Sequence, residues 1–467
     1  MPADTAPSSP PIERTEEEDG LPMPRRIWAI VAISFGTALF VLDGNVANVA
    51  LPTIARDLGV SNADVTNVVT VYQLVLVMVL LPFSSMGDRI GHRTLYQAGQ
   101  AIFLVASALT FFANDFLMLL AVRAGQALGA GMALSVSAAM LRATYPARSL
   151  GSGMGINSVV VASSAAIAPT LGGFVVEHVD WRWVFIAGAP MALLSLLVGR
   201  SLPDPVKLLD RKRETLSGVW SALTLLLLIG GLQWATHGAE WWPGAVAAAI
   251  GVVSLLLLIR RERARENPVL PVDLLATPVL GLSALAAVAA FMASGGIMIS
   301  LPFLFQQSFG YSAAEVGLLL LPFPLTLLFV APFAGWLSDR IAATKLGLTG
   351  MALAILGLAL LMTMGNDPGW QAIAWRLAIM AAGFGLFFAP NSRLIIGRAP
   401  KARAAAAGGM LSTSRLLGQT LGAAMIGVLL AANLGTGPAP MAAAMILCVL
   451  AAACGLTRFL TVRRQAG

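Results

Sequence analysis

Fourteen stretches of this chain are apolar over about 20 residues, and each is long enough to cross the ~30 Å hydrocarbon core of a membrane as a helix. Lipid offers no partner to an exposed backbone, so spans are helices or closed barrels, and long runs without polar alternation exclude a barrel. Only 11% of the residues are charged, against about 25% in soluble proteins. The sequence therefore predicts an all-α integral membrane protein with 14 transmembrane helices. The predicted spans are 27–54, 65–84, 95–113, 116–141, 151–177, 181–202, 215–236, 243–260, 278–305, 313–337, 344–364, 369–393, 404–432 and 439–459.

The basic residues decide the orientation of the spans. The chain has 30 Lys and Arg against 23 Asp and Glu, a net charge of +7. If both termini are cytoplasmic, Arg56 and Arg182 fall in outer loops, Arg123, Arg376 and Arg415 lie inside spans, and all other basic residues are cytoplasmic. This bias is the one that membrane proteins show. It predicts a multi-pass plasma (cell inner) membrane protein whose basic clusters contact lipid headgroups and not nucleic acid.

Two parts of the chain look like copies of one another. Residues 86–93 read Met-Gly-Asp-Arg-Ile-Gly-His-Arg after span 2, and residues 335–341 read Gly-Trp-Leu-Ser-Asp-Arg-Ile after span 10. Spans 4 and 12 each carry an arginine, Arg123 and Arg376, ahead of small residues. Two parallel six-helix halves are a transporter plan with the substrate at the interface of the halves.

The repeat predicts the domain organisation. We expect spans 7 and 8, which have no internal charge, to form an inserted and peripheral hairpin. We assign a disordered cytoplasmic tail to 1–26, the first half to 27–202, the linker with the two extra spans to 203–277, the second half to 278–460 and a cytoplasmic tail to 461–467.

Five motifs carry a family resemblance. Residues 84–93 resemble the loop that follows span 2 in the major facilitator superfamily, with Ser84 in place of a glycine, and residues 42–52 resemble the span 1 motif of its 14-span drug:proton antiporters. Arg123, Gln126 and Gly129 match the span 4 motif, and residues 305–322 resemble the start of the second half. Span 5 is similar to the antiporter motif, with two small residues replacing glycines, at Gly155, Ser164, Ala168, Pro169, Gly172 and Gly173.

The resemblance implies a function. It implies a proton-driven exporter of amphipathic, cationic drugs or toxic compounds that works by alternating access. The proton gradient is its energy source, and no cofactor is needed. It also implies that the antiporter motif joins the two halves and limits ion leak. The alternative is a proton-linked exporter of an anionic or neutral metabolite or natural product, and a channel is the third possibility.

Asp43 is the acidic residue deepest in the predicted spans. Holding an ionisable group there costs on the order of 3 kcal/mol. Loss of solvent favours a neutral carboxyl group and a nearby guanidinium favours a carboxylate, so Asp43 beside Arg123 can bind or release a proton as its water access changes. At 1.5 Å per residue the two lie at similar depths. We predict that they form a proton-coupling pair; a permanent structural ion pair is the alternative.

Further residues are assigned to the substrate and to the gates. Asp88 with Arg89 and Arg93, and Asp339 with Arg340, lie at cytoplasmic span ends, where ion pairs can form in one conformation and break in another. The candidate gating residues are Asp88, Arg89, Gly91, Arg93, Gly335, Asp339 and Arg340. The candidate substrate-binding residues are Asp43, Tyr72, Gln73, Asn157, Gln306, Asn391, Arg376 and Arg415, of which the last two are satisfied by backbone carbonyls or line the cavity.

Other functional classes lack their motifs. None of the four lysines is followed by Ser or Thr, so the chain has no phosphate-binding loop for an ATP-driven pump. The three histidines, His92, His178 and His237, fall in separate loops, which argues against a metalloenzyme. We expect a monomer that is not an enzyme and whose partners are a small-molecule substrate, protons and lipid.

Overall fold

The fold was analysed in a computed structural model that describes residues 20–146, 150–203, 212–237, 240–263, 272–338, 340–365, 368–400 and 404–466. It contains 14 helices that are long and apolar enough to cross a membrane, and the described residues form no β-strand. The predicted fold class is confirmed, with helix ends that differ from the predicted ones by a few residues. The helices are α1 (Arg25–Asp57), α2 (Asn62–Leu80), α3 (His92–Phe112), α4 (Phe116–Thr144), α5 (Val159–His178), α6 (Trp181–Ser201), α7 (Leu216–Ala235), α8 (Trp242–Arg263), α9 (Pro278–Ser308), α10 (Ala313–Leu337), α11 (Ala343–Met362), α12 (Trp370–Arg398), α13 (Ala406–Ala431) and α14 (Ala439–Thr461).

Several helices extend beyond these membrane segments. The helix that contains α2 continues to Ile90, and the helix that contains α5 already begins at Leu150. The last helix continues to Ala466, so the predicted tail is helical over its described residues. The predicted N-terminal tail lies outside the described residues up to position 19.

The helices pack in two groups of six that repeat one pattern. In the first group, α1–α6, helix α1 packs on α5 and α6, α4 packs on α2 and α3, and α3 touches α6. In the second group, α9–α14, helix α9 packs on α13 and α14, α12 packs on α10 and α11, and α11 touches α14. Each of these contacts in one group therefore has a counterpart eight helices away in the other.

Paired glycines explain the closest of these contacts. A Cβ on Gly129 of α4 would lie 2.5 Å from the carbonyl oxygen of Gly99 on α3. In the second group, a Cβ on Gly383 of α12 would lie 2.6 Å from the oxygen of Gly350 on α11. Membrane helices associate through packing and not through exclusion of water, and small residues let their backbones approach closely. The glycines near Arg123 and those near Arg376 thus form equivalent helix contacts in the two groups.

Hydrogen bonds join the two groups toward one end of the bundle. We call the end of the bundle that holds the chain termini, predicted to be cytoplasmic, the termini end, and the opposite end the distal end. Several hydrogen bonds between the groups lie in the distal half, and two of them join the side chains of Asn62 and Gln307 at 3.0 Å. Toward the termini end, Gly409, Ser412 and Arg415 on α13 are exposed. A gap between the groups is therefore closed at the distal end.

Helices α7 and α8 lie outside the two groups. They pack against each other, and the helix of α7 contacts that of α2. A Cβ on Gly231 of α7 would lie 2.5 Å from the amide nitrogen of Ala248 on α8, so the contact within this hairpin is close. Only 17% of the apolar 18-residue segment of α8 is buried, the smallest such share among the 14 helices. The hairpin is peripheral in this structure; its origin as an insertion stays a prediction.

Candidate functional site

Asp43 and Arg123 meet in the middle of the first group. Nη1 of Arg123 donates hydrogen bonds to both carboxylate oxygens of Asp43, at 3.1 and 2.9 Å. The side chains are 2% and 1% exposed, respectively. Asp43 is the only acidic residue more than two turns from an end of a described membrane helix. The pair is thus shielded both from lipid and from water.

Arg123 has further partners besides the carboxylate. Its Nε donates to the carbonyl oxygen of Val68 at 3.3 Å, and its Nη1 also donates to Oε1 of Gln126 at 2.8 Å. The guanidinium carbon lies 4.2 Å from the ring centre of Tyr72 and 4.9 Å from that of Phe185. Cations over aromatic faces are stabilised, most strongly where water is excluded. The guanidinium is therefore held by groups that do not depend on the charge of Asp43.

Tyr72 and Gln126 complete this buried cluster. Nε2 of Gln126 donates to Oγ of Ser107 at 2.9 Å and to the carbonyl oxygen of Phe185 at 3.0 Å, which fixes its Oε1 toward Arg123. The Tyr72 hydroxyl is buried and makes no hydrogen bond of ordinary geometry with any described residue. Tyr72 therefore lies beside the Asp43–Arg123 pair, and not in the gap.

Arg376 occupies the matching place in the second group with different partners. Its Nε donates to the carbonyl oxygen of Leu360 at 2.9 Å, its Nη1 donates to that of Ala372 at 2.8 Å, and its guanidinium lies over the ring of Trp375. Backbone carbonyls satisfy this arginine, which decides between the two alternatives for it. We therefore leave Arg376 out of the substrate site.

Two other substrate candidates hold helices together. Nε2 of Gln306 donates to the carbonyl oxygen of Val49 at 3.0 Å, across the two groups at the distal end. Nδ2 of Asn391 donates to the carbonyl oxygen of Ser283 at 3.0 Å, and Asn391 is only 4% exposed. Asn391 is thus buried within the second group, and Gln306 lies at the contact between the two groups. Gln73 and Asn157 are half-buried, and each has a side-chain oxygen with no hydrogen-bond partner among the described residues.

Arg415 differs from every other arginine inside the spans. Its side chain is exposed although protein surrounds it, and it has no ion pair, hydrogen bond or aromatic contact within the described part of the chain. It lies about 5 Å from the middle of α13, toward the termini end. An unpaired arginine at this depth is satisfied only if water or a solute reaches it.

The sequence analysis missed one buried arginine. Arg458 near the end of α14 was grouped with the cytoplasmic basic residues, but it is 5% exposed. Its Nη1 donates to Oγ of Ser283 at 2.8 Å and to Oδ1 of Asn391 at 3.1 Å, and its Nη2 donates to Oγ1 of Thr344 at 3.2 Å. The polar residues Ser283 and Asn391 inside apolar helices were the available signal. The cluster ties α9, α11, α12 and α14 together.

The candidate gating residues lie at the termini end. Gly91 separates the helices of α2 and α3 with φ of 105°, a conformation that side chains rarely adopt. The Arg340 guanidinium lies beyond the end of α10, 3.8 Å from the ring centre of Trp336 on that helix. Arg89 and Arg93 are half-buried, and Gly335 has open space beside it. Asp339 and the side chain of Asp88 lie outside the described residues, so the predicted ion pairs stay predictions.

The residues that resemble an antiporter motif lie along α5, which touches both groups. A Cβ on Gly172 would lie 2.6 Å from the carbonyl oxygen of Val46 on α1, while Gly173 approaches Ala313 on α10. The carbonyl oxygen of Pro169 would lie 2.5 Å from a Cβ on Gly317 of α10. Ser164 and Ala168 are buried, and Ser164 donates to Val160 of its own helix. Gly155 lies in the helix, but its environment is outside the described residues.

Comparison with known families identifies the family to which this fold belongs. A model of the Major Facilitator Superfamily matches residues 33–281 and 283–467. The chain belongs to the major facilitator superfamily. The two matched segments divide this major facilitator protein near the start of α9, at the boundary between its two helix groups.

Three relatives of this major facilitator protein span most of its length. It is 40% identical to the uncharacterized transporter YebQ of Escherichia coli K12, over 94% of this chain and 97% of the relative. It is 28% identical to the riboflavin transporter RibZ of Clostridioides difficile, over 88% and 90%. It is 29% identical to the tetracenomycin C resistance and export protein of Streptomyces glaucescens, over 88% and 77%.

The fold of this major facilitator protein is shared with distant solved structures. A bacterial homolog of the human lysosomal transporter Spinster, solved in an inward-facing and unoccupied conformation, superposes with a TM-score of 0.65 at 17% identity. The match covers 94% of this chain and 96% of the other. At this identity the similarity concerns the fold alone. Within the described residues, no three His, Cys, Asp or Glu side chains are placed to share a metal ion.

Proposed function

We propose that this transporter is a secondary exporter in which inward proton movement drives amphipathic compounds outward through one alternating site. The observation that carries the proposal is the buried Asp43–Arg123 ion pair in the middle of the first helix group. Intramembrane charges are expensive, and where they occur they mark ion and substrate pathways. Export is also the activity in the name of the Streptomyces relative.

Asp43 is the proton carrier in this proposal. Protonation of its carboxylate neutralises one partner of the pair and leaves Arg123 without its counter-charge. Removing one partner of a buried ion pair is normally costly because the other charge remains buried. Here Val68, Gln126 and the faces of Tyr72 and Phe185 still hold the guanidinium. The carboxyl group can therefore gain and lose a proton without collapse of the cluster.

Alternating access follows from the contacts between the groups. We propose that the termini are cytoplasmic, which makes the conformation closed at the distal end an inward-facing one. The distal contacts between Asn62 and Gln307, and between Gln306 and Val49, break when the gap opens outward. Rocking of two repeats around a central site is the general mechanism of such folds. Asp43 then meets water from each side in turn.

The organisation of the chain supports this mechanism. We propose two parallel six-helix halves, an inserted α7–α8 hairpin and a monomeric carrier in the plasma membrane. The hairpin packs on α2 of the first group and also touches α13 of the second group. Each proton that crosses a potential of 100 mV supplies about 2.3 kcal/mol, enough to concentrate a substrate roughly 50-fold.

The geometry supports a cationic substrate less well than the other parts of the proposal. A cationic substrate requires an acidic partner, but Asp43 is closed off by Arg123. The unpaired Arg415 on the gap side of α13 favours the second candidate, a proton-linked exporter of anionic compounds. Both candidates use the same coupling pair.

Proteoliposomes loaded with a pH-sensitive dye test the coupling. A pH gradient is imposed, and proton release is recorded after addition of ethidium or naphthoate as probes. We expect saturable, probe-dependent proton movement with the wild type and its loss in Asp43→Asn. The control is Asp57→Asn, because Asp57 lies on the same helix but is 51% exposed at its end.

Two outcomes would contradict the proposal. One is an Asp43→Asn variant that moves as many protons per probe molecule as the wild type. The other is a wild-type protein that moves no protons with either probe. A flux that does not saturate and ignores the counter-gradient would identify a channel instead.

A further inference from the structure

Arg415 points into the gap between the helix groups. In a helix, successive residues are about 100° apart, so Arg415 lies about 60° from Gly418 and about 100° from Leu416 on the other side. Gly418 packs on Phe291 of α9, and Leu416 packs into the core of the first group. The direction of Arg415 falls between these two contacts. Its exposed side chain therefore faces the gap and not the lipid.

A wall of stacked aromatic rings lies at the same depth. The rings of Phe291 on α9 and Phe388 on α12 are 4.1 Å apart and nearly parallel, at 8°. Phe384, one turn before Phe388, continues the stack at 5.7 Å and 16°. Phe291 and Phe388 are half-buried, so part of the stack is accessible, whereas Phe384 is fully buried. Phe291, Phe388 and Arg415 lie about 3 to 6 Å from the middles of their helices, all toward the termini end.

Charge and shape at this place select one kind of compound. A guanidinium binds carboxylate, phenolate or sulfonate oxygens through charge-assisted and often bidentate hydrogen bonds. A ring stacked parallel to others offers a flat apolar surface on which a further ring can stack with an offset. A cation placed beside Arg415 would instead be repelled, and the carboxylate of Asp43 is already occupied by Arg123.

We propose that Arg415 and the Phe291–Phe388 stack form the substrate subsite, and that this subsite takes planar aromatic compounds that carry a negative charge. The inference rests on the proposed function, since it names the substrate class of the same exporter. The anion supplies the counter-charge that Arg415 lacks, and the aromatic part of the substrate lies along the two phenylalanines. When the site is empty, water that enters from the open end solvates the guanidinium.

Equilibrium binding to the purified protein in lipid nanodiscs tests the subsite without any proton gradient. Three probes separate charge from shape: naphthoate, the charge-reversed naphthylmethylammonium, and the saturated anion decalin carboxylate. We expect the wild type to bind naphthoate most tightly. Arg415→Gln should weaken naphthoate binding about 10- to 100-fold, the range of a hydrogen bond to a charged group, with little effect on naphthylmethylammonium. Phe388→Leu should weaken naphthoate binding but not decalin carboxylate binding.

Matched variants distinguish a loss of binding from a loss of folding. Arg263→Gln removes the same charge from an exposed position at the end of α8 and should bind all probes as the wild type does. Arg415→Glu is the decisive variant, because it should reverse the preference and bind naphthylmethylammonium more tightly than naphthoate. A reversal cannot arise from unfolding, and the thermal unfolding temperature of each variant is recorded beside its binding.

The outcomes distinguish this inference from the proposed function. If Arg415→Gln and Arg415→Glu keep the wild-type order of probe affinities, the subsite assignment is wrong. Equal binding of naphthoate and decalin carboxylate by the wild type would overturn the aromatic part. Asp43→Asn should bind naphthoate as the wild type does while losing proton-coupled transport. If only the coupling experiment fails, the subsite assignment is still supported. If only the binding experiment fails, the proposed proton coupling is still supported.

Discussion

The side-chain amides of Asn62 and Gln307 exchange two hydrogen bonds of 3.0 Å across the distal end of the bundle. Asn62 begins α2 in the first group, and Gln307 lies in the last turn of α9 in the second group. The two amides are exposed, so breaking them strands no buried polar atom. They therefore form a closure that can open at a small free-energy cost.

Loss of this closure should shift the conformational balance. Each hydrogen bond contributes about 0.5–1.5 kcal/mol, so Asn62→Ala should raise the ratio of distal-open to distal-closed protein by roughly 5- to 100-fold. Distances between spin labels at Val60 and Thr436 measure the two populations. A distance distribution unchanged from that of the unsubstituted labelled protein would refute this role of the amide pair.

A second substitution should act on the same balance through packing. A Cβ on Gly317 would lie 2.5 Å from the carbonyl oxygen of Pro169, an atom of the α5 backbone that cannot move independently. Gly317→Ala should therefore disfavour the closed distal end and lengthen the same spin-label distance. Gly455→Ala on α14 is the control, since nothing lies within 4 Å of its Cβ position. Equal distances in both variants would contradict the assignment.

The Asp43–Arg123 pair should show strong thermodynamic coupling. Arg123→Gln leaves a buried carboxylate without its partner and should lower stability by about 3–5 kcal/mol. The double variant Asp43→Asn with Arg123→Gln should regain part of that loss, since neither remaining group is charged. Unfolding free energies of the four proteins in lipid nanodiscs form the double-mutant cycle. Additive effects of the two substitutions would mean that the pair contributes nothing specific.

The repeated glycine contacts should respond alike in both groups. Gly129→Ala and Gly383→Ala place a methyl group against backbone atoms of the facing helix and should each cost about 1–3 kcal/mol through overpacking. Gly455→Ala in α14 meets no atom within 4 Å and should stabilise by about 0.5–1 kcal/mol, because alanine favours a helix over glycine. Thermal unfolding of the three variants compares them. A stabilised Gly129→Ala protein would exclude the close helix contact.

Much of the architecture was predictable because its determinants are local. Length and hydropathy identify spans one at a time, and the Asp-Arg-Ile repeat aligned two groups whose main helix contacts recur. The pairing of Asp43 with Arg123 followed from their depths. Two opposite charges at the same depth in a membrane have a higher free energy when they are separated than when they are paired.

The roles of the other polar residues were not predictable in this way. Depth along a helix does not give the direction of a side chain relative to helices that are distant in sequence. Asn391 was assigned to the substrate site and Arg458 to the cytoplasmic surface, yet the two side chains are hydrogen-bonded to each other. Arg376 and Arg415 were indistinguishable by sequence, but one reaches backbone carbonyls and the other reaches none.

The sequence by itself determined that this chain is a bundle of 14 membrane helices with an internal repeat, because the lipid imposes helices on every apolar run of sufficient length. Only the tertiary structure decided which charges are paired, which end of the gap is closed and which arginine faces it. These properties depend on how helices rotate and cross, and crossing is set by contacts such as Gly99 on Gly129 that join residues far apart in the chain.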